Sequence, residues 1–514
     1  MPRHARPSAK ATRLGAVIVA AGTLASTALV LPADAAGSSM SSTTSVAPYV
    51  LPAAPGVDVM SLLTVGDPSK TAVNSYQMVG IPDGLGAYLR SDGQIVVNMN
   101  HELSSSAGIP RAHGQKGAFV SRLVIRPSDM SVRTGQDLNR PGVHYFDPAT
   151  RRYTTAVPAG QSAAFNRFCS GTTVPAGWLF NAATGNGTMQ SIHFAGEEAG
   201  SEGRAFATFG RGLTKAFPRM GLRSYENIVP ARNATDTTTV IGLDDANPGT
   251  LGLYAGTKTT GTDPLIAGGF TNGVLGTIVV SGSATDAAFR TNVGTGVATP
   301  FTVTNIDWTK TGAQQRAEAI AEGGLQLNRI EDGHFDPANP NDFYFLTTEG
   351  GQGVGGGGGG GLWRMRFTDI ENPNAGGTLT LVLDGSESIT LAKPDNMVID
   401  EHGNLLIQED PGNDPVLARI LAYRIADGAL GTVAQFDGAQ FTPGAPAFLT
   451  ADEESSGIID AESLKGVGWF LFDAQVHTSA GLPAGTGPGT VQELVERGQL
   501  LAMRVTDWSA VYGS

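Results

Sequence analysis

The sequence contains a single cysteine, Cys169, among 514 residues. One cysteine excludes an intramolecular disulfide and any metal site built from paired cysteines. Charged residues make up only 16% of the chain, and acidic residues outnumber basic ones 47 to 34. This balance argues against nucleic acid or an anionic membrane as a partner, because both attract basic proteins. The chain also lacks a P-loop, a His-Glu-x-x-His motif and a Gly-x-Ser-x-Gly elbow near a plausible triad.

Long apolar runs are missing beyond residue 35, and the apolar run before it predicts a signal peptide over residues 1–35. The basic segment that precedes this run contains Arg3, Arg6, Lys10 and Arg13. Residues 33–35 read Ala-Asp-Ala, a small-x-small cleavage site. A membrane anchor is the alternative interpretation. We expect a secreted protein, extracellular or periplasmic, that has no membrane association after cleavage.

Helix signals are few, whereas glycine is abundant, with 69 Gly and 29 Pro. Short β-branched and aromatic runs recur between Gly, Asp and Asn turns, which is typical of an all-β protein. The predicted strands cover residues 94–98, 117–125, 277–281, 342–347, 362–367, 378–383, 404–408 and 468–473. Short helices are predicted at 312–322 and 490–497, the second with Gly498 as its C-cap. A turn-strand phrase at 336–345 and a strand-turn-strand phrase at 395–407 indicate a β-propeller. We expect an N-terminal extension over 36–70 and one β-propeller domain over 71–514, with a few inserted short helices.

Acidic phrases lie beside the predicted turns. They are Asn100-His101-Glu102, Gly196-Glu197-Glu198, Leu243-Asp244-Asp245, Arg329-Ile330-Glu331-Asp332, Pro394-Asp395-Asn396 and Gln408-Glu409-Asp410. An isolated acidic pair is usually a solvated turn, but several such pairs flank apolar strands here. Crowded carboxylates repel one another, and cations relieve the repulsion. Oxygen ligands suit calcium and a thiolate suits a softer metal such as iron or zinc, so a mixed set predicts more than one metal.

Cys169 itself has four interpretations at this point: a metal-bound thiolate, a nucleophile, an intermolecular bridge, or an inert buried side chain. A lone thiol outside the cell tends to oxidise, so its presence suggests a use.

The motifs Asn100-His101-Glu102, Cys169-Ser170-Gly171, Glu197-Glu198, Arg329-Ile330-Glu331-Asp332, Pro394-Asp395 and Gln408-Glu409-Asp410 occur in an order that resembles PhoX-type alkaline phosphatases. The chain is similar to a divergent, phytase-like member of that secreted propeller family. The resemblance implies a six-bladed β-propeller with an iron and calcium cluster. It also implies hydrolysis of phosphomonoesters outside the cytoplasm, by a monomer that acts on a small phosphorylated substrate.

Site roles follow from the same resemblance. It implies metal ligation by Glu102, Cys169, Glu198, Glu331, Asp395 and Glu409. Cys169 is implied as a thiolate ligand of Fe(III), while Asp395 and Glu409 are implied to bind Ca²⁺ or position the cluster. Arg329 is implied to hold the substrate phosphate, with Arg204 behind it, because a guanidinium can bind phosphate through two hydrogen bonds.

The sequence departs from the family pattern in three respects. It has no twin-arginine pair, the segment between Cys169 and Glu197 differs from the family's tryptophan-rich segment, and Gly196 rather than cysteine precedes Glu197. Two other functions are therefore kept open. One is a calcium-dependent lactonase or esterase with Ca²⁺ alone, because residues 394–407 also resemble a blade of gluconolactonase-type enzymes. The other is a secreted propeller without enzymatic activity that binds a ligand or a surface.

Overall fold

Antiparallel strands form most of the regular structure. The computed structural model describes residues 43–66, 76–353 and 359–513, so the predicted signal peptide lies outside the described residues. The strands, in chain order, are β1 Val50–Pro52, β2 Val57–Thr64, β3 Pro82–Leu89, β4 Ile95–His101, β5 Phe119–Ile125, β6 Val132–Asp137, β7 Tyr145–Asp147, β8 Arg152–Thr154, β9 Phe168–Val174, β10 Phe180–Asn181, β11 Asn186–Gly187, β12 Ile192–Glu197, β13 Ala205–Phe209, β14 Leu213–Ala216, β15 Tyr225–Pro230, β16 Thr237–Asp244, β17 Gly252–Thr257, β18 Val274–Val279, β19 Thr299–Ile306, β20 Ile330–Phe335, β21 Asp342–Thr347, β22 Gly361–Phe367, β23 Gly377–Leu383, β24 Pro394–Ile399, β25 Asn404–Glu409, β26 Arg419–Arg424, β27 Leu430–Phe436, β28 Glu453–Asp460, β29 Trp469–Val476 and β30 Arg497–Val505.

Helices are short. They are α1 Pro264–Ala267, α2 Asp286–Asn292, α3 Gly312–Ala321, α4 Gly438–Phe441, α5 Glu462–Lys465, α6 Val491–Leu494 and α7 Trp508–Tyr512, with 3-10 turns at Pro218–Met220 and Pro373–Ala375. The predicted helix at 312–322 is α3, which begins with a capping box between Thr311 and Gln314. The predicted helix at 490–497 is shorter than expected. It ends at Leu494 because the chain turns at Val495 (φ +64°), and Arg497 already pairs with Val476 in β30.

Each of the eight predicted strands overlaps a strand of the structure, because each is a short run of β-branched and aromatic residues bounded by turn residues. These strands are grouped in antiparallel sheets with the orders β3-β4-β5-β6, β14-β13-β12-β9, β15-β16-β17-β18-β19-β23-β22-β21-β20, β1-β27-β26-β25-β24 and β2-β30-β29-β28. Within the nine-stranded sheet, β15–β18 and β20–β23 are two successive four-stranded meanders. The fold is thus mostly β, with a propeller-like arrangement of sheets.

One strand from each four-stranded group lies on the inside. In this article the inner strands are β3, β9, β15, β20, β24 and β28. Each contacts the next in that order, and β28 contacts β3, so the inner strands close a circle. Apolar clusters fill the space between neighbouring groups. Leu85 of β3 shares a cluster with Leu471 of β29, and Leu406 of β25 shares one with Phe472 of β29.

The segment predicted as an N-terminal extension is part of these sheets over its described residues. β1 pairs with β27, and β2 pairs with β30 along its whole length. Residues from near the start of the chain therefore complete two of the sheets that contain strands from near its end. Among the described residues, no helix is long and apolar enough to cross a membrane.

Close approach of the inner strands depends on Gly84. A Cβ atom at this position would lie 2.0 Å from the backbone nitrogen of Gly171 and 2.3 Å from the carbonyl carbon of Ser170. We therefore expect Gly84→Ala to lower the free energy of unfolding by about 2–3 kcal/mol, because backbone must move to accept the methyl group. Chemical denaturation measures the effect. Gly438→Ala is the control, since its nearest neighbour is the flexible Thr442 hydroxyl at 3.3 Å. Equal stability of both variants would contradict the close approach.

Candidate metal centre

The same pairing recurs where each inner strand begins. Each inner strand pairs with a neighbour that is called its second strand below; the second strands are β4, β12, β16, β21, β25 and β29. The first residue of the inner strand pairs with the last residue of the second strand, and a break in register follows. The pairs are Pro82 with His101, Phe168 with Glu197, Tyr225 with Asp244, Ile330 with Thr347, Pro394 with Glu409 and Glu453 with Val476. Such a break is a β-bulge, a device that re-aims side chains beside functional sites.

A backbone hydrogen bond of 2.8–3.0 Å closes every one of these pairs. The residue after the second strand donates its N–H to the carbonyl of the residue before the inner strand. The donors and acceptors are Glu102 to Ile81, Glu198 to Arg167, Asp245 to Ser224, Thr348 to Arg329, Asp410 to Lys393 and His477 to Asp452. Side chains alternate between the two faces of a strand. The second residue of the inner strand therefore shares a face with the donor of this bond.

These positions define the acidic ring, the name used below for twelve side chains. Six belong to inner strands (Asp83, Cys169, Glu226, Glu331, Asp395 and Glu454) and six follow second strands (Glu102, Glu198, Asp245, Thr348, Asp410 and His477). Nine of the twelve are carboxylates. Cys169 is 9% exposed and Glu331 is 1% exposed, so the ring brings many acidic groups out of water.

Within the acidic ring, two groups of three have the spacing of metal ligands. One ligand atom from each of Asp83, Glu102 and Cys169 lies within 4.8 Å of the others. The second group consists of Glu226, Glu331 and Asp395, with the same limit. The first group joins a sulfur atom to two carboxylates, which suits a softer metal, and the second offers oxygen alone, which suits calcium.

Five predicted ligands belong to the acidic ring: Glu102, Cys169, Glu198, Glu331 and Asp395. Glu409 does not, which corrects the sequence-based assignment. It pairs with Pro394, so its side chain points to the opposite face, where both its oxygens bind the guanidinium of Arg419 at 2.7 Å. Its neighbour Asp410 takes the ring position.

Arg204 is also placed differently from its predicted role behind the substrate site. Its Nε and Nη2 donate to the two oxygens of Glu197 at 2.6 and 2.7 Å, and Nη1 donates to the carbonyl of Ser162 at 2.9 Å. Every nitrogen of this guanidinium is therefore used within the protein. Glu197 faces away from the ring for the same reason as Glu409, since it is the last residue of its second strand.

Arg167 reaches the ring, although the sequence analysis did not single it out. It precedes inner strand β9 and adopts a left-handed backbone conformation (φ +46°). Its Nε donates to Glu102 at 2.9 Å and its Nη2 donates to Glu198. The side chain is 45% exposed, so it lies where the ring meets solvent.

Arg329 occupies the corresponding position before β20 and also has a positive φ (+55°). Its Nε and Nη2 bind the two oxygens of Asp245, each at 2.9 Å, and Nη2 lies 3.2 Å from Glu331. No hydrogen bond engages Nη1 of Arg167 or of Arg329 among the described residues. Both guanidiniums thus keep one donor group free of intramolecular partners.

Proton affinity is raised at several members of the acidic ring. Burial, followed by neighbouring carboxylates, raises the pKa of Asp83, Glu331 and Asp395 well above the usual carboxyl range. Burial, followed by Glu102, raises the pKa of Glu198 to about 9. The same causes raise the pKa of the Cys169 thiol well above its ordinary value. Without a cation, these groups therefore favour their protonated forms.

Unpartnered oxygen atoms also indicate that a cation fits here. Glu331 Oε2 and both carboxylate oxygens of Asp473 are buried without a hydrogen-bond partner among the described residues. Buried polar atoms are normally paired, since leaving one unpaired costs about 1–3 kcal/mol. Asp473 lies opposite Ser456 of inner strand β28, and a Cβ on Gly457 would lie 3.0 Å from its carboxylate. The donor set and these unpaired oxygens fit metal ions.

Several ring members were absent from the predicted set: Asp83, Glu226 and Glu454 from inner strands, and Asp245 and Asp410 from second strands. Asp83 and Glu226 are single acidic residues, without the doublet that drew attention elsewhere. Only their position in the strand marks them: Asp83 is the second residue of β3, after Pro82, and Glu226 is the second residue of β15, after Tyr225.

No protein-family model and no curated protein matches the sequence. Among solved structures, Pseudomonas fluorescens PhoX in complex with vanadate, a transition state analogue, matches with a TM-score of 0.61 and 12% identity, covering 88% of this chain and 97% of that one. A gluconolactonase from Xanthomonas campestris matches with a TM-score of 0.35 and 10% identity, covering 90% and 98%. The calcium structure of a Trichoderma reesei family AA12 carbohydrate-active enzyme matches with 0.36 and 11%, covering 91% and 100%.

The first of these likenesses shows a shared fold. This chain therefore has a fold of the kind seen in PhoX, at a level of sequence identity that shows the fold alone. The other two likenesses are too weak to carry an argument.

Metal removal makes the stability of the protein depend on pH. Groups such as Glu198, whose pKa rises to about 9 in the folded protein, hold protons there that the unfolded chain releases above its ordinary carboxyl pKa. Stability is thus lost as pH rises from about 4.5 towards 9. We expect the melting temperature of chelator-treated protein to fall over this window. Glu198→Gln should flatten the profile, whereas a chelated wild type that is equally stable at pH 5 and pH 9 would contradict the analysis.

The adjacent carboxylates Glu409, which ends β25, and Asp410, which follows it, should respond differently when their charge is removed. Glu409→Gln breaks the buried pair with Arg419, so we expect a loss of about 2–3 kcal/mol in unfolding free energy with metal content retained. Asp410→Asn removes a ring carboxylate whose pKa is raised to about 7 by burial and Glu454. It should lower metal content without destabilising the chelated protein. Elemental analysis and thermal denaturation measure both effects, and metal loss in the Glu409 variant alone would contradict the assignment.

Proposed function

We propose that this chain is a secreted, metal-dependent phosphatase that hydrolyses phosphomonoesters on a six-bladed β-propeller. The observation that carries the proposal is the acidic ring, in which two ligand groups lie beside two arginines that each have an unused Nη1. A ring this acidic cannot hold a phosphate without cations. The circle of six inner strands supports the six-bladed arrangement.

The two ligand groups support two kinds of metal. Asp83, Glu102 and Cys169 would hold Fe(III), since a thiolate stabilises a transition metal. Glu226, Glu331 and Asp395 would hold Ca²⁺, which prefers oxygen ligands. When bound, these cations would polarise the phosphoryl oxygens and lower the pKa of a water molecule.

The chain's own cations would orient the substrate. Arg167 and Arg329 are fixed through Nε and Nη2, so their Nη1 groups are held ready for phosphate oxygens. A donor fixed before substrate arrives costs no reorganisation during the reaction. Arg329 keeps its sequence-predicted role in this proposal, and Arg167 takes the supporting role first given to Arg204. We propose that the enzyme is a monomer acting on a small phosphorylated substrate outside the cytoplasm.

A calcium-dependent lactonase or esterase is the second candidate. The observation that favours it is the group formed by Glu226, Glu331 and Asp395, which contains no sulfur and could bind Ca²⁺ alone. In that case Cys169 would be an inert buried side chain, and lactone opening would survive Cys169→Ser. A binding protein without activity would retain calcium but turn over neither ester class.

Elemental analysis of the secreted protein, purified without chelator, is the first test. We expect iron and calcium together, and turnover of p-nitrophenyl phosphate. Cys169→Ser should remove iron, and Glu331→Gln should remove calcium. Each variant should lower kcat by at least about 100-fold, because the lost metal no longer stabilises the charge that develops in the transition state. Arg329→Gln should reduce kcat/KM with metal content unchanged.

The matched control for these variants is Arg424→Gln, which breaks an exposed ion pair with Asp427. Arg424 pairs with Asn404, at the opposite end of β25 from the ring residue Asp410. It should retain full activity. Full phosphatase activity in both Cys169→Ser and Glu331→Gln would overturn the proposed function. Calcium without iron, together with lactone hydrolysis, would support the second candidate instead.

A further inference from the structure

A second, basic cavity lies at the other end of strand β3. Its volume is about 600 Å³, and four arginines line it: Arg90, Arg122, Arg140 and Arg211. No carboxylate lines it among the described residues. This clustering is unusual in a chain whose formal net charge is −13. The name arginine cavity is used for it below.

Strand register explains why these side chains converge. Tyr88, Val96, Val124 and Thr134 are cross-strand neighbours in β3 to β6, and Arg122 and Gln136 form the next row of the same face. Side chains two residues apart in a strand share a face. The turn between β13 and β14 brings Gly210 and Arg211 against this face. The cavity is therefore built by two neighbouring groups of strands.

The charges in the arginine cavity are largely uncompensated. Arg90 binds Asp92 through two hydrogen bonds. In contrast, no ion pair joins Arg122, Arg140 or Arg211 to a carboxylate within the described parts of the chain.

Arg122 is the most informative member of this cavity. It is partly buried, and its Nε donates a hydrogen bond of 3.3 Å to Asn98. Burial lowers the pKa of Arg122, Tyr88 partly opposes this shift, and the charge of Arg140 adds to it. Arg140 donates a hydrogen bond of 2.8 Å to Gln136, which is the cross-strand partner of Arg122, and no carboxylate lines the cavity that they share. Two neighbouring guanidiniums without a carboxylate favour an anion.

We propose that the arginine cavity binds a small organic polyanion that carries two or more phosphate or sulfate groups. Three guanidiniums without carboxylate partners match several oxyanions, because each guanidinium offers planar paired donors. A volume of about 600 Å³ is in the range of small-molecule sites and exceeds the needs of a single tetrahedral ion. Tyr88 and Val124 supply an apolar wall for the organic part of the ligand.

This site is distinct from the acidic ring. Asp83 of the ring lies at the start of β3 and Tyr88 of the cavity lies near its end, and five residues of strand span about 17 Å. The cavity shares no side chain with the ring. Its occupation is therefore independent of whether the ring hydrolyses phosphomonoesters, and its test does not depend on that activity.

Isothermal titration of the mature, metal-containing protein with inositol hexasulfate at low salt tests the proposal. This probe carries several oxyanions that a phosphatase does not hydrolyse. We expect binding that weakens about tenfold or more in the double variant Arg122→Gln/Arg140→Gln, because the variant loses two guanidiniums that can each form charge-assisted hydrogen bonds with an oxyanion. Affinity should also fall as ionic strength rises. The titration is repeated with inositol hexaphosphate on Arg329→Gln protein, in which hydrolysis of the probe is reduced. The probe that binds more tightly shows whether the cavity prefers phosphate or sulfate groups.

Arg133→Gln is the matched control, because Arg133 precedes Thr134 in β6 and points to the opposite face. It should bind the probe like the wild type. Arg211→Gln, in an exposed turn, should also weaken binding and keeps the test decisive if the double variant folds poorly. Equal affinity in the wild type and the Arg122, Arg140 and Arg211 variants would overturn the proposal. So would the absence of binding to the wild type at low salt.

Discussion

One backbone hydrogen bond, repeated around the circle of inner strands, determines where the side chains of the acidic ring lie. It joins the residue after each second strand to the residue before the paired inner strand. The bulge that follows sets the phase of side-chain alternation. Each group of strands thereby presents one side chain from its inner strand and one from its second strand to the same central space. The acidic ring is the sum of these contributions.

Backbone conformation shows what this arrangement costs. Ile81, Arg167, Arg329 and Lys393 precede four of the inner strands, and all four have a positive φ without being glycine. A non-glycine residue in this region costs about 1–2 kcal/mol. The fold bears this cost repeatedly at equivalent positions, and at three of them the residue is basic. The left-handed turn brings Arg167 and Arg329 against ring carboxylates, so backbone strain and charge compensation are found in the same residues.

The position of an acidic residue relative to the end of its strand, more than its type, decides whether it faces the acidic ring or an arginine on the opposite face. In each of the doublets Glu197-Glu198, Asp244-Asp245 and Glu409-Asp410, the first residue ends a strand and the second follows it. The first residues bind Arg204, Arg316 and Arg419 respectively, on the face away from the ring. The second residues face the ring. In all three doublets, therefore, the residue that ends the strand forms an ion pair with an arginine, and the residue that follows the strand belongs to the acidic ring.

The strands and several ring members could be predicted from the sequence because their signals are local. Short β-branched and aromatic runs between turn residues indicated the strands, and the acidic phrases indicated Glu102, Glu198, Glu331 and Asp395. Choosing between Glu409 and Asp410 required the position of the bulge, which depends on pairing with Pro394 across the sheet. Likewise, the incorporation of β1 and β2 rests on contacts with β27 and β30, more than 370 residues away along the chain.

The acidic ring and the arginine cavity are linked through polar side chains along β4. Arg122 donates to Asn98, Asn98 donates to Thr173, and Thr173 is hydrogen-bonded to His193 at 2.8 Å.

His193 in turn contacts Asn100 at 2.8 Å, and Asn100 donates to the backbone carbonyl of Cys169 at 2.8 Å. Burial lowers the pKa of His193 to about 3, so this link is neutral at physiological pH and transmits position rather than charge. Asn98 and Asn100 lie on one face of β4, two residues apart, and hold strand β9 at both ends of this path. The backbone beside the only thiol in the chain is therefore joined to Arg122 of the arginine cavity by a continuous, partly buried series of hydrogen bonds.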